Sequence, residues 1–175
     1  MLFMLFAFLF SCSTEFKVVV LKGINNPQKA LDCMYYYAVK EGGFSPSKEG
    51  KGSLELVREL IKVPEKESSK KITKSKVVFL NVSVVEDKIY LKGSTITTSL
   101  NLNKKDEVAE KNVKKSSVSL SNLNLRSAEG QMVLDILYKV RRELQIEEEI
   151  EIVPENNLDR EVIIKLMPSY MGEAN

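Results

Sequence analysis

The run "KVVFLNVSVVEDKIYLKGSTITTSLNLN", Lys76 to Asn103, limits what this chain can fold into more than any other stretch. Val78, Leu80, Val82 and Val84 recur at every second position in its first half, and Ile96, Leu100 and Leu102 at even spacings in its second. A period of two places such residues on one face of an extended strand. Glu86-Asp87 sits between the halves as a two-residue connection, so the run predicts an antiparallel β-hairpin. One apolar face of that hairpin then has to be covered by other elements.

The flanking segments supply candidates for the cover. "EFKVVVLKG", Glu15 to Gly23, reads as a buried β-branched strand closed by glycine. Asn26 and Pro27 open a helix that Gly42-Gly43 stops, with Ala30, Leu31, Met34, Tyr35 and Ala38 on its apolar face. "FSPSKEGKG" reads as a loop, and "SLELVRELIKVP" as a second helix, capped by Ser53, striped by Leu54, Val57, Leu60 and Ile61, and ended by Pro64. "EKESSKKITKSK" reads as a solvated linker.

Beyond the hairpin the second arm continues to a charged tip and returns as "VKKSSVSLSNLNL", an elaborated hairpin over about 100–117. The apolar positions of the returning strand change parity, from Val118 and Leu120 to Leu123 and Leu125, which predicts a β-bulge or bend near Ser121-Asn122. Ser127 caps the longest helix, "SAEGQMVLDILYKVRRELQ", whose stripe is Val133, Ile136, Leu137, Val140 and Leu144. Arg141 and Arg142 lie near its negative pole. Two short strands, Glu149 to Val153 and Glu161 to Met167, are expected to form a C-terminal hairpin over about 149–167. The order β-α-α-β-β-β-α-β-β implies an α+β fold, a mostly antiparallel sheet with helices packed on one face, in a single domain over 12–175.

Composition removes several functions. There is no histidine among the 175 residues, which excludes Ser/His and Cys/His nucleophile pairs, His-based acid/base chemistry and His-containing metal sites. Cys12 and Cys33 are the only cysteines, too few for a thiolate metal site or a disulfide framework. Net charge is +2, far from the basic balance of a nucleic-acid binder, so no nucleic-acid partner is expected.

The N-terminal run "MLFMLFAFLFSC" carries no charge and is too short to span a bilayer, which takes about 20 residues. It matches the apolar region of a signal peptide, here 1–11, ending at small residues. Leu9-Phe10-Ser11-Cys12 resembles the bacterial lipobox, which implies cleavage before Cys12 and acylation of its sulfur. Two or three acyl chains anchor stably, at roughly 0.8 kcal/mol per buried methylene. The other readings of Cys12 are a disulfide with Cys33, or the end of an apolar segment packed on the domain. Lipidated, the chain would be anchored at the cell membrane or outer membrane on the exported side.

Other constellations have simpler explanations. Glu86-Asp87, Glu147 to Glu149, and Asp159 with Glu161 are carboxylate pairs whose spacing does not demand convergence in a cleft. "PENNLD" has calcium-ligand residue types without the alternate spacing of a calcium loop. Tyr35 to Tyr37 point about 100° apart on a helix and cannot form one stacking platform; their rings are expected at a core edge. No cofactor is implied.

Four stretches together resemble a GerMN domain, the module of spore-germination, sporulation and other bacterial envelope lipoproteins: "SLELVRELIKVP", "LNVSVVEDKIYLKGS", "RSAEGQMVLDILYKVRREL" and "IEEEIEIVPEN". The resemblance covers roughly Ser53 to Asn156. It implies a small α/β fold akin to ring-building motifs, no catalytic residues, and a structural, assembly or peptidoglycan-associated role with protein partners or self-association. An outer-membrane assembly lipoprotein that partners a β-barrel or export pore is the alternative, and a carboxylate-dependent cell-wall enzyme the second.

Overall fold

The computed structural model describes residues 17–67, 70–103 and 117–167. Its elements are β1 (Lys17–Leu21), α1 (Pro27–Lys40), β2 (Ser45–Gly50), β3 (Ser53–Glu67), β4 (Lys70–Val85), β5 (Lys88–Asn103), β6 (Ser117–Asn122), α2 (Ala128–Glu143), β7 (Glu151–Pro154), a single 3-10 turn (Glu155–Asn157) and α3 (Arg160–Lys165). The seven strands form one sheet in the order β2-β3-β4-β5-β1-β7, with β6 also paired to β5. Every described pairing is antiparallel, so the α+β class with an antiparallel sheet holds.

The hairpin at Glu86-Asp87 organises this sheet. β4 and β5 pair along their whole length, from Val85 with Lys88 to Lys70 with Asn103. Glu86 takes φ 54° to close the turn. On one face Leu54, Leu56, Val78, Leu80, Val82, Val84, Ile89 and Leu91 meet Ala30, Leu31, Met34 and Ala38 of α1 and Val133, Ile136, Leu137 and Val140 of α2, in one buried cluster. Both helices form where their caps direct: Asn26 accepts from the Lys29 amide, Pro27 opens α1, and the Ser127 hydroxyl accepts from the Gly130 amide. The opposite face carries a smaller core, in which Val162 and Leu166 of α3 pack on Val18, Val20 and Tyr90.

Four segments differ from the sequence expectation. "SLELVRELIKVP" lies in strand β3, not a helix. Its Leu54 and Leu56 pair with Val82 and Leu80, and the long β4 edge needs partners for its amides and carbonyls that a helix would not supply. The expected loop "FSPSKEGKG" contains β2, an edge strand that tolerates Pro46 because a register shift falls between Pro46 and Lys48. "EKESSKKITKSK" is the end of β3 and the start of β4 rather than a linker, residues 68–69 lying outside those described. At the C-terminus β7 forms as expected, but the second strand of that hairpin is α3: Val162 and Leu166 are buried while Ile164 between them is exposed, whereas a strand would put all three on one face.

β4 and β5 outrun the helices. β5 gives one edge to two strands in turn: β1 pairs with Ile89 to Leu91, and β6 with Ser94 to Ser99. Past Gly93 the strands β3, β4 and β5 continue as an arm, reaching Asn103 about 33 Å further on at about 3.3 Å per residue, with β6 alongside as far as Ser99. The connection 104–116 at its end, most of the elaborated hairpin read from the sequence, lies outside the described residues. No bulge interrupts the β5–β6 ladder. The parity change at Leu120 and Leu123 is instead a change of face: Leu123 stands opposite Gly93 on the helix side, and Leu120 opposite Ile96 on the other. β5 changes in the same place, from Ile89 and Leu91 on the helix side to Ile96 on the reverse.

Candidate functional site at the root of the sheet arm

Where domain and arm join, four segments converge: the start of β1, the exit of β6, the N-terminus of α2, and β7. Gly93 makes the junction possible. A Cβ there would lie 2.7 to 2.8 Å from Leu123 Cδ2 and Cβ, so Leu123 packs directly over the bare backbone of β5. The Leu123 amide donates to the Gly93 carbonyl at 3.0 Å, prolonging the ladder by one rung.

The chain then turns into α2 through a tight polar knot. Asn124 Oδ1 accepts from the Arg126 amide at 2.9 Å, and the Ser127 hydroxyl donates to the Asn124 carbonyl at 2.7 Å while accepting from the Gly130 amide at 3.1 Å. Gln131 Nε2 donates to the Leu125 carbonyl at 2.6 Å. Gly130 has no room for a side chain, since a Cβ would lie 2.2 Å from the Asn124 carbonyl oxygen. Beside this knot opens a depression of about 590 Å³, floored by Leu123, Leu125, Leu134 and Ile152 and edged by Lys17 and Arg126.

Two ion pairs brace the junction. Lys76 on β4 reaches Glu129 of α2 at 3.1 Å, tying the arm to the helix layer. The Glu129 carboxyl is held below the usual range by its own backbone amide first, and then by Lys76. On the reverse face Lys92 meets Glu155 at 2.7 Å with side chains only 9% and 17% exposed. In the same row across the sheet stand Asn81 and Glu55, both buried, with buried Ser94 one row further along. Asn81 Nδ2 and Ser94 Oγ have no hydrogen-bond partner among the described residues. This polar belt separates the α3 core from an apolar row, Val77, Ile96 and Leu120, on the arm.

The residues singled out in the sequence are dispersed. Cys12 and the segment 1–11 lie outside the described residues. Cys33 is half-buried, and burial first, then Glu143, pushes its thiol up. Glu86 and Asp87 occupy an exposed turn, Glu147 to Glu149 an exposed segment after α2, and Glu161 pairs with Lys165 on α3. Asp159 caps α3 by position without a side-chain bond. "PENNLD" is the 3-10 turn, and its Glu155 is the partner of Lys92. No group of three or more acidic or cysteine side chains able to hold a metal occurs among the described residues. Of the tyrosines, Tyr37 packs on the core edge and meets Tyr36 edge-on at 5.3 Å, whereas Tyr35 and Tyr36 are exposed.

No helix among the described residues is long and apolar enough to cross a membrane. No family model matches the chain, and neither the curated proteins nor the solved structures give a match.

Proposed function

We propose that this chain is an exported envelope lipoprotein, held at a bacterial membrane by acyl chains on Cys12, whose α+β domain is a non-enzymatic structural or assembly component. The observation that carries the reading is the order of the N-terminus: an uncharged apolar run ends at Ser11-Cys12, and the first strand of the folded domain starts at Lys17. Fully extended, the stretch from Cys12 to Lys17 covers at most about 17 Å. Lipid on Cys12 would hold the arm's root close to the bilayer. The GerMN resemblance supports the same address through the hairpin, α2 and β7, although the segment likened to that module's first helix is strand β3.

Substituting Cys12 by Ser in the full-length chain should move it from the membrane to the soluble fraction of its host, and the wild type should carry a diacylglyceryl mass on Cys12. A wild-type protein without acyl mass, fractionating like C12S, overturns the reading.

An outer-membrane assembly role with a β-barrel or export pore is the second reading, and the edge of β3 favours it. β2 pairs only with Ser53 to Val57, leaving the outer edge of the rest of β3 without a strand partner among the described residues. Such an edge accepts an added strand. Cross-linking from Glu59 would then capture a barrel or pore subunit, and capture of a second copy alone would refute that variant.

A further inference from the structure

The helix layer does not reach the last strand of the sheet. Val19 of β1 stands between Leu91 of β5 and Ile152 of β7, so the three share one row on the helix side. Leu91 and Val19 are 1% and 3% exposed, whereas Ile152 is 50% exposed. At about 4.8 Å a strand, the path from β2 to β7 is about 24 Å across. Two helices side by side, each about 10 Å wide, roof about 20 Å of it. The strip left open is the depression between α2 and β7.

Its lining divides into an apolar floor and a charged rim. Leu123, Leu125, Leu134 and Ile152 make the floor, and Leu125 and Leu134 also pack on the main core, which holds them in place. Lys17, Arg126 and three amide side chains complete the lining, with no carboxylate among them. Asn124 Oδ1 and Gln131 Nε2 are already bonded within the knot before α2, so the charges offered to a ligand are Lys17 and Arg126. By contrast Lys76 and Lys92, which brace the same junction, are matched by Glu129 and Glu155. Neither Lys17 nor Arg126 has an ion-pair partner among the described residues.

We propose that this depression binds a long-chain fatty acid, its alkyl chain on the leucine and isoleucine floor and its carboxylate met by Lys17 and Arg126. The inference goes beyond the envelope role and stands whether or not Cys12 is acylated. Each methylene taken out of water onto such a floor adds to binding. A guanidinium can bond both oxygens of a carboxylate, which favours an acid over a neutral amphiphile. At about 590 Å³ the depression has the size of a pocket for one small molecule. Acyl chains on Cys12 do not match the rim, since a diacylglyceryl thioether carries no charge. A peptide fits less well, because β7 beside the depression is four residues long and ends in Pro154, which has no amide to donate to an added strand.

The chain has no tryptophan, so a single introduced indole reports without background. In the full-length chain carrying I152W, brominated stearate below its micellar concentration should quench the indole saturably. In Y36W, on the exposed face of α1, it should not. The methyl ester of the same acid should bind I152W about tenfold more weakly, and K17E/R126E should weaken binding of the acid to a similar degree. K48E/K51E, which reverses two exposed lysines outside the depression, should leave the affinity as it is. Circular dichroism and thermal unfolding establish that each variant keeps the fold, and the ester comparison does not depend on the charge variants. Equal affinities for acid and ester, or for K17E/R126E and K48E/K51E, overturn the carboxylate site. Equal quenching in I152W and Y36W, or none in either, overturns binding at the depression. Blue-shifted emission from I152W before any acid is added, unchanged by adding it, shows that another segment of the chain or a second copy covers the floor, and overturns the proposal as well. None of these outcomes bears on acyl mass at Cys12, so the lipoprotein reading is judged separately.

Discussion

Gly93 shows how one residue sets the boundary between two parts of a strand. It is the last helix-side position of β5 before the apolar residues change face, and Leu123 fills the space its missing side chain leaves. Gly93→Val should therefore force Leu123 off the sheet, lowering unfolding free energy in urea titrations by about 1–3 kcal/mol, the usual range for overpacking. Gly93→Ala should fall between valine and the parent. At Glu129 the expectation concerns pH. Its carboxyl is depressed in the folded state, so its contribution to stability is complete above the unfolded value, about 4.3, and is lost as pH falls through the lower folded value. Urea midpoints followed downward through that window should drop less in E129Q than in the parent. None of these residues drew notice in the sequence. A glycine in an alternating run carries no sign of what lies across it, and Glu129 gains meaning only when Lys76 is brought beside it.

At the scale of elements, legibility followed the number of agreeing signals. α1 carries a cap, an apolar stripe and a stop, α2 a cap, a stripe and two arginines at its negative pole, and both lie where those signals put them. β3 and α3 carried contradictory ones. "LELVRELIKV" has helix-forming residues at helical spacing, yet Leu54 and Leu56 also alternate, and the open edge of β4 decided between the patterns. "REVIIK" is β-branched, but burying Val162 and Leu166 while leaving Ile164 exposed is a helical pattern, not an alternating one. The face on which each apolar run is buried was hidden altogether, because alternation gives two faces and does not say which one meets the helices. Elements also differ in cover. The inner parts of β4 and β5, Val78 to Val84 and Ile89 to Leu91, are sealed by α1 and α2, whereas Val77 and Ile96 to Thr98, next along the strands, are only half-buried. Amide hydrogen exchange should be slowest in those inner segments and faster from Thr97 to Asn103, giving two protection classes within a single strand. Uniform protection along β5 would show that the arm is stabilised as strongly as the domain.

For the molecule as a whole, the candidate site became visible only after assembly. Sequence reading located β1 and the hairpin separately, and their relation appears once β1 is seen to start at the root of the arm. The order of strands also bears on how the molecule forms. β1 is the first of the described strands to be made, but it lies inside the sheet between β5 and β7, and Lys22 just beyond it meets Glu151, 129 positions away. Neither neighbour exists when β1 is synthesised, and loop closure over such separations is slow. Strand β1 is thus among the last to be paired, so that, under the lipoprotein reading proposed above, the chain next to Cys12 is still unpaired when Cys12 has to be reached for processing.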